Sequence, residues 1–352
     1  MGPRKAWAAI FFSTLLAAYG LAGRRVEAAL RGVWFRSVTR PLAADARGLA
    51  PPSERMWLGA SRPELPQSLY GMDTLEAQLG QPLTIASFYV AWGEGDEHAF
   101  PSEVIRNLGR AGYLPLITWE PWLNAFPRWS GQVPARALRL IADGAVDGYI
   151  RRWAHEAVRS GRPLLLRPGH EATNPAYAWG PSAGNTASDY RRFWQHVRQI
   201  FRDEGARNVS FVWTPFSAQD REWFPGLEAV DWIGFDIFNF GGLAQEGIWF
   251  DFHSLTKPFY DAYAPLGLPL MITEVGSSSV GGNKADWLRE MFHDVAHGSF
   301  PALRALVLFD QPSGHTVGGL PVDWSVGEVA SALDGVRAEA SGPGRFESRA
   351  AR

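Results

Sequence analysis

Cysteine is absent from this chain of 352 residues. Its absence excludes a disulfide scaffold, a catalytic thiolate, cysteine-ligated zinc and acylation of a lipoprotein cysteine. An excess of one charge is absent too, because 34 Lys and Arg residues nearly balance 36 Asp and Glu residues, leaving a net charge of −2. A chain without a basic surface lacks the electrostatic footprint of nucleic-acid proteins, so we expect no nucleic-acid partner.

Several motifs of enzyme chemistry are also missing. The sequence has no phosphate-binding loop, no Gly-x-Ser-x-Gly turn, and no Gly-x-Gly-x-x-Gly turn after its first strand-like run. His155 and His170 are each followed by Glu, but neither pair has the second His of a zinc-binding His-Glu-x-x-His helix. We therefore expect neither a metal ion nor a cofactor.

The first residues have the pattern of an export segment. Arg4 and Lys5 precede an apolar run over 6–22, which predicts either a cleaved signal peptide or a retained membrane anchor. The protein is then exported, and its folded part is secreted, periplasmic or anchored outside the cytoplasm. The predicted segments are a signal or anchor over 1–22, a linker over 23–54, a folded domain over 55–338 and a disordered tail over 339–352.

Eight short apolar runs alternate with segments of helical period. Continuous apolar runs are typical of parallel strands that are buried on both faces. The predicted strands are 56–59, 83–91, 114–119, 163–168, 209–214, 230–235, 270–273 and 303–308. Eight strands that alternate with helices predict an α/β fold, a closed (β/α)8 TIM barrel, with a doubly wound open sheet as the alternative.

Two glutamates follow strands at positions that suit catalysis. The active site of such a barrel lies at the carboxyl ends of its strands. Glu171 follows the fourth run and Glu274 follows the seventh, so the two face each other across the barrel mouth. Hydrolysis of a glycosidic bond needs two carboxyl groups whose pKa values differ. Strand alternation places Arg167 on the same face as Glu171.

Aromatic residues are abundant, with 16 Trp and 21 Phe. Rings in this number fit a large core, a site that stacks sugar rings, or both. Four tryptophans that follow or end predicted strands are candidate sugar contacts, although some of these rings belong to the core. They are Trp92, Trp119, Trp179 and Trp213. Asp236, after the sixth run, His170 and Arg167 complete the predicted substrate-binding set. The alternative for Arg167 is a structural role as the partner of a buried carboxylate.

Several segments between residues 56 and 324 together resemble glycoside hydrolase family 26. They are His170-Glu171 with 174–180, 213–215 with 223–236, 273–276, and 300–310. That family includes β-1,4-mannanases and belongs to a retaining clan of barrels with glutamates on strands four and seven. The resemblance implies that Glu171 is the acid/base, Glu274 the nucleophile, and His170 a neighbour that holds their geometry.

The chain departs from the family pattern at three places. Phe238 occupies the position where the family has a Tyr that donates to the nucleophile, so that hydroxyl is expected to be missing. Ala176 and Ala178 stand where the family is often aromatic, and no Trp is evident where strand eight ends, at Phe309. These differences leave the pair of glutamates intact but weaken the argument for mannan.

The expected function is therefore a monomeric retaining endo-glycosidase that hydrolyses a β-linked polysaccharide. β-1,4-Mannan is the first candidate substrate, and a β-1,3/1,4-glucan or a bacterial exopolysaccharide is the alternative. Phe238 and the N-terminal segment also motivate a second hypothesis, a non-catalytic carbohydrate-binding barrel associated with polysaccharide export.

Overall fold

The computed structural model of the protein describes residues 49–53, 55–129, 131–244, 247–312, 315–317, 320–326 and 346. Eight parallel strands form a closed barrel in the order of the sequence. The predicted (β/α)8 barrel is therefore confirmed, and the doubly wound open sheet is excluded. The predicted signal or anchor over 1–22 lies outside the described residues.

The elements follow the alternation that the sequence predicts. The barrel strands are β1 (Trp57–Ser61), β2 (Ile85–Ala91), β3 (Leu114–Glu120), β4 (Leu164–Pro168), β5 (Val209–Trp213), β6 (Trp232–Asn239), β7 (Leu270–Ser277) and β8 (Leu303–Phe309). The α-helices are α1 (Tyr70–Leu79), α2 (Ser102–Arg110), α3 (Ala137–Ala142), α4 (Asp147–Ser160), α5 (Ala187–Asp203), α6 (Phe252–Tyr263) and α7 (Lys284–Ala296). A hairpin of β9 (His315–Val317) and β10 (Leu320–Val322) follows β8.

Strands β6 and β7 end later than predicted, at Asn239 and Ser277. Their apolar runs stop early because Asp236 and Glu274 face a cavity at the open end of the barrel. A register shift between Phe235 and Asp236 marks the start of this polar section. The polar residues that end the apolar runs therefore also mark the candidate site.

Short sequence features define where the two helices that flank β4 end and begin. Gly161 ends α4 with a φ of 58°, in the left-handed region that glycine adopts at little cost. At the start of α5, the Thr186 side chain accepts from the Asp189 backbone, and the Asp189 carboxylate accepts from the Thr186 backbone. The strand that leads into Glu171 thus lies between two helices with well-defined ends.

The bottom of the barrel is closed by apolar side chains. Trp57 and Trp232 pack with their ring centroids 5.6 Å apart. Trp232 Nε1 also donates to the carbonyl of Leu49 at 3.1 Å, so the last residues of the predicted linker contact the barrel. With this end filled, a cavity can form only at the opposite end, where the strands finish.

One residue of the predicted tail contacts the barrel. Phe346 lies in the predicted tail, yet it forms a parallel bridge with Met56 and its ring contacts Phe292. The rest of 339–352 lies outside the described residues. Among the helices that the structure describes, none combines the length and the apolar character that a membrane crossing requires.

Candidate active site

A cavity of about 880 Å³ lies at the carboxyl ends of the strands. Glu171, Asp236 and Glu274 are on its wall, from the loop after β4 and from within β6 and β7. Apolar and aromatic side chains make up much of the remaining wall. The cavity thus combines three carboxyl groups with apolar surface.

Strand register brings the polar side chains together. Tyr89 on β2 pairs with Thr118 on β3, and Thr118 pairs with Arg167 on β4. On the other side of the barrel, Asp236 on β6 pairs with Glu274 on β7. Because paired residues of neighbouring strands point to the same face, these five side chains meet in the lumen.

A buried arginine lies beneath the carboxyl groups. Arg167 Nη1 donates to both oxygens of Asp236, at 3.1 and 3.2 Å, and Nη2 donates to Glu274. Its Nε and Nη2 also donate to Thr118 Oγ1, at 2.9 and 2.7 Å. Arg167 is 0% exposed and is not among the cavity-lining residues. The prediction that it contacts substrate is therefore wrong, and its charge instead compensates the carboxylates.

Glu171 follows β4 with a φ of 47°, a left-handed conformation that is uncommon outside glycine. Its backbone N–H donates to the Thr214 carbonyl at 2.8 Å, and Asn174 Nδ2 donates to its carboxylate at 2.7 Å. Burial, followed by the negative charges of Asp236 and Glu274, raises the pKa of Glu171 well above its ordinary value. A raised pKa favours the protonated form of Glu171, which can then donate its proton.

Glu274 has different neighbours. Its side chain is mostly buried, and both the Tyr89 hydroxyl and Arg167 Nη2 donate to its Oε1. Two donors, one of them a cation, stabilise negative charge on a carboxylate. The two glutamates therefore differ as an acid and a nucleophile must, because one holds a proton while donors stabilise the charge of the other.

Asp236 links the two glutamates. Burial and the charge of Glu274 raise the pKa of Asp236 to about 7, against the opposing effect of Arg167. Thr273 Oγ1 donates to Asp236 at 2.6 Å, and Asp236 also shares a hydrogen bond with Glu171. Asp236 lines the cavity, and its contact with substrate stays a prediction.

His170 lines the cavity beside Glu171. Its Nε2 lies 2.9 Å from the Tyr177 hydroxyl, and burial followed by the charge of Arg167 lowers the pKa of His170 well below its ordinary value. The ring is therefore neutral. Its Nδ1 is buried and has no hydrogen-bond partner among the described residues. The predicted contact of His170 with substrate stays a prediction.

The four tryptophans predicted to contact sugar do not reach the cavity. Trp92, Trp119, Trp179 and Trp213 are at most 1% exposed, and none of them lines the cavity, so the prediction is wrong. Trp119 directly follows the inward-facing Thr118 and therefore points outward, where it packs on Trp92 with centroids 4.3 Å apart. A ring without an exposed face cannot stack on a sugar.

Other aromatic rings take their place. Trp179 instead lies against Tyr177, with ring centroids 4.4 Å apart and planes 10° apart. Tyr177 is half-buried and lines the cavity. The rings on the cavity wall that the sequence analysis missed are those of Phe88, Tyr89, Tyr177, Phe216, Phe238, Phe240, Phe259, Phe309 and Trp324.

Comparison with known sequences supports the predicted resemblance. The model described as Glycosyl hydrolase family 26 matches residues 137–264, which include Glu171 and Asp236. This part of the chain is therefore similar to that family. Endoglucanase H of Acetivibrio thermocellus is 29% identical over 281 residues, which cover 75% of this chain and 28% of that protein. Beta-1,3-xylanase TXYA of a Vibrio species is 30% identical over 128 residues, which cover 33% of this chain and 27% of that protein.

This chain spans less than a third of the length of either relative. A family 26 β-mannanase from Bacteroides ovatus has a similar structure, with a TM-score of 0.60, 15% identity, and coverage of 84% of this chain and 90% of that one. At this identity the likeness supports the shared barrel fold.

At two departures from the family 26 pattern, other residues supply the missing group. Phe238 carries no hydroxyl, as expected, but the hydroxyl of Tyr89 on β2 donates to Glu274. β8 ends without a Trp, but Trp324 from beyond the β9–β10 hairpin reaches the cavity and packs on Phe238, with centroids 5.0 Å apart. Both groups come from parts of the chain that the family motif does not cover.

Proposed function

We propose that this protein is a retaining, endo-acting hydrolase of a β-linked polysaccharide. The observation that carries the proposal is the unequal environment of two carboxyl groups in one cavity. Burial and negative charge keep the proton on Glu171, whereas Tyr89 and Arg167 donate to Glu274. Retaining hydrolysis requires one carboxylic acid and one carboxylate at the glycosidic bond.

The reaction proceeds in two steps. The Glu274 carboxylate attacks the anomeric carbon while Glu171 transfers its proton to the leaving oxygen, which gives a covalent glycosyl-enzyme. Glu171, now ionised, takes a proton from a water molecule that attacks the same carbon and releases Glu274. The raised pKa of Glu171 suits both roles, because the group is protonated before the first step and is a competent base in the second.

β-1,4-Mannan is the first candidate substrate. The family 26 match over residues 137–264 and the likeness to a β-mannanase fold support it. The sequence relatives are named an endoglucanase and a β-1,3-xylanase, which keeps β-1,3/1,4-glucan and other β-glycans as alternatives. A bacterial exopolysaccharide is the remaining alternative, since the aromatic wall of the cavity differs from the family pattern.

A non-catalytic carbohydrate-binding barrel is the weaker proposal. The motive for this hypothesis was Phe238, which has no hydroxyl to donate to the nucleophile. Tyr89 supplies a hydroxyl to the same carboxylate, so the reason for expecting lost turnover no longer holds.

We also propose that the protein acts outside the cytoplasm as a monomer. Arg4 and Lys5 before the apolar run over 6–22 support export, through either a cleaved signal or an anchor. Neither a cofactor nor a metal ion is required by the two-step reaction.

Release of reducing ends by the full-length protein tests the proposed activity. The panel comprises mannan, glucomannan, β-glucans, xylan and bacterial exopolysaccharides. We expect activity on one polymer, lost by orders of magnitude in both Glu171→Gln and Glu274→Gln, and retained in Glu103→Gln, an exposed glutamate on α2. An active Glu274→Gln protein would overturn the assignment, and binding without turnover would favour the carbohydrate-binding barrel.

A further inference from the structure

Tyr89 and Arg167 both donate to the same oxygen of Glu274, Oε1. Among the described residues, every hydrogen bond to this carboxylate ends on that atom. We propose that Tyr89 is a positioning residue that, together with Arg167, leaves the other oxygen, Oε2, to attack the anomeric carbon. This inference rests on the proposed function.

Two residues of the site contact the Tyr89 ring. The Arg167 guanidinium lies 5.9 Å from the centre of the Tyr89 ring, and the His170 ring meets it edge-on with centroids 6.2 Å apart. Register pairing through Thr118 fixes the height of Tyr89 in the barrel relative to Arg167. The two donors to Oε1 therefore come from one rigid set of neighbouring strands, β2 to β4.

Tyr89 keeps its proton under working conditions. Burial and the negative charge of Glu274 raise the pKa of Tyr89 well above its ordinary value. The phenol therefore acts as a fixed donor rather than as an acid or a base. Its effect on the reaction must be exerted through the carboxylate that it contacts.

The negative charge on Oε1 changes during the reaction. When Oε2 forms its bond to the anomeric carbon, the leaving oxygen takes the proton of Glu171, and Oε1 becomes the carbonyl oxygen of an ester. When water attacks, its proton passes to Glu171, the bond from carbon to Oε2 breaks, and the carboxylate regains its negative charge. Donors to Oε1 bind the carboxylate more strongly than the ester, so Tyr89 assists the second step.

Tyr89→Phe tests this role with dinitrophenyl β-mannobioside and β-cellobioside, whose good leaving group makes the second step limiting. We expect kcat to fall by about a hundredfold and KM to fall with it, so that kcat/KM, which reports the first step, is largely retained. The intact mass of the protein should rise by one mannobiosyl or cellobiosyl unit during turnover. Tyr70→Phe is the matched control, because Tyr70 is 76% exposed.

The possible outcomes distinguish failure of the Tyr89 inference from failure of the proposed function. If the wild-type protein hydrolyses a substrate and Tyr89→Phe retains its kcat, only the role of Tyr89 is overturned. A rise in KM with unchanged kcat also overturns the role of Tyr89, because Tyr89 would then be a substrate contact. If the wild-type protein neither releases the phenol nor cuts any polymer of the panel, both proposals fail.

Discussion

Asp236 lies directly opposite Glu274 in the register of β6 and β7, and one guanidinium, that of Arg167, donates to both. Glu171 adds a third carboxyl group to the same cavity wall. One buried cation cannot compensate three buried negative charges, so the set must hold at least one proton. Glu171, which has no contact with the cation among the described hydrogen bonds, is the member best suited to hold it.

The hydrogen bond from Asn174 to Glu171 should influence the upper pH limit of activity. This bond lowers the pKa of Glu171 against the larger effect of burial. Asn174→Ala should therefore raise that pKa and move the basic limb of kcat/KM to higher pH, since this limb reports the acid in the free enzyme. Initial rates on a soluble substrate across pH measure the shift. Asn107→Ala, at an exposed position on α2, should leave the limb in place, and a shift of Asn174→Ala to lower pH would contradict the assignment.

The carboxyl cluster should make stability fall as pH rises. Burial raises the pKa values of Glu171 and Asp236 above those of the unfolded chain, to about 7 for Asp236. Between those values the folded protein binds more protons than the unfolded chain, so the free energy of unfolding decreases with pH. Asp236→Asn removes one such site and should reduce this slope, by at most about 1.4 kcal/mol per pH unit. Urea unfolding from pH about 4 to about 7 measures it, and equal slopes for the two proteins would refute the prediction.

Arg167 should matter to folding as well as to catalysis. Arg167→Met leaves Asp236 and Glu274 buried without their cation, which typically costs about 3–5 kcal/mol. Arg159→Met removes an exposed ion pair with Glu156 and should cost less than about 1 kcal/mol. Urea unfolding of both variants at neutral pH tests the contrast. Equal losses would mean that the buried cation does not stabilise the carboxylates.

The barrel could be predicted from the sequence because parallel strands covered on both faces form continuous apolar runs. The same physics explains the errors. The apolar runs of β6 and β7 stop where Asp236 and Glu274 face the cavity, although the hydrogen bonding of the strands continues beyond them. An apolar run therefore predicts where a strand is buried rather than where it ends.

Glu171 and Glu274 could be predicted to meet because strand ends converge in a barrel. The aromatic side chains could not be assigned by position alone, since the face on which a ring lies depends on alternation. Trp119 lies next to Thr118, which faces inward, and so belongs to the outer core. Tyr89 was hidden inside an apolar run, and Trp324 reaches the cavity from a segment far from any strand-end motif.

The buried tryptophans should affect stability without affecting substrate binding. Trp213 packs edge-on against Tyr263, with centroids 5.4 Å apart, and against Phe224. Trp213→Phe should lower the free energy of unfolding by about 1–3 kcal/mol through lost packing and leave KM unchanged. Thermal unfolding and steady-state kinetics on the preferred polymer measure the two effects. A raised KM with unchanged stability would restore Trp213 as a sugar contact.

Substitution of Phe238 should weaken substrate binding, in contrast to substitution of the buried tryptophans. Its ring is half-buried, lines the cavity and rests on Trp324, so it offers an apolar face to a sugar ring. Phe238→Ala removes that face, and a lost ring contact of about 1.4 kcal/mol corresponds to a roughly tenfold rise in KM. The value of kcat should change less, because Phe238 donates nothing to Glu274, in contrast to Tyr89. Leu227→Ala, at an exposed position, serves as the control. A loss in kcat with unchanged KM would instead mean that Phe238 shapes the nucleophile, as the tyrosine of the family pattern does.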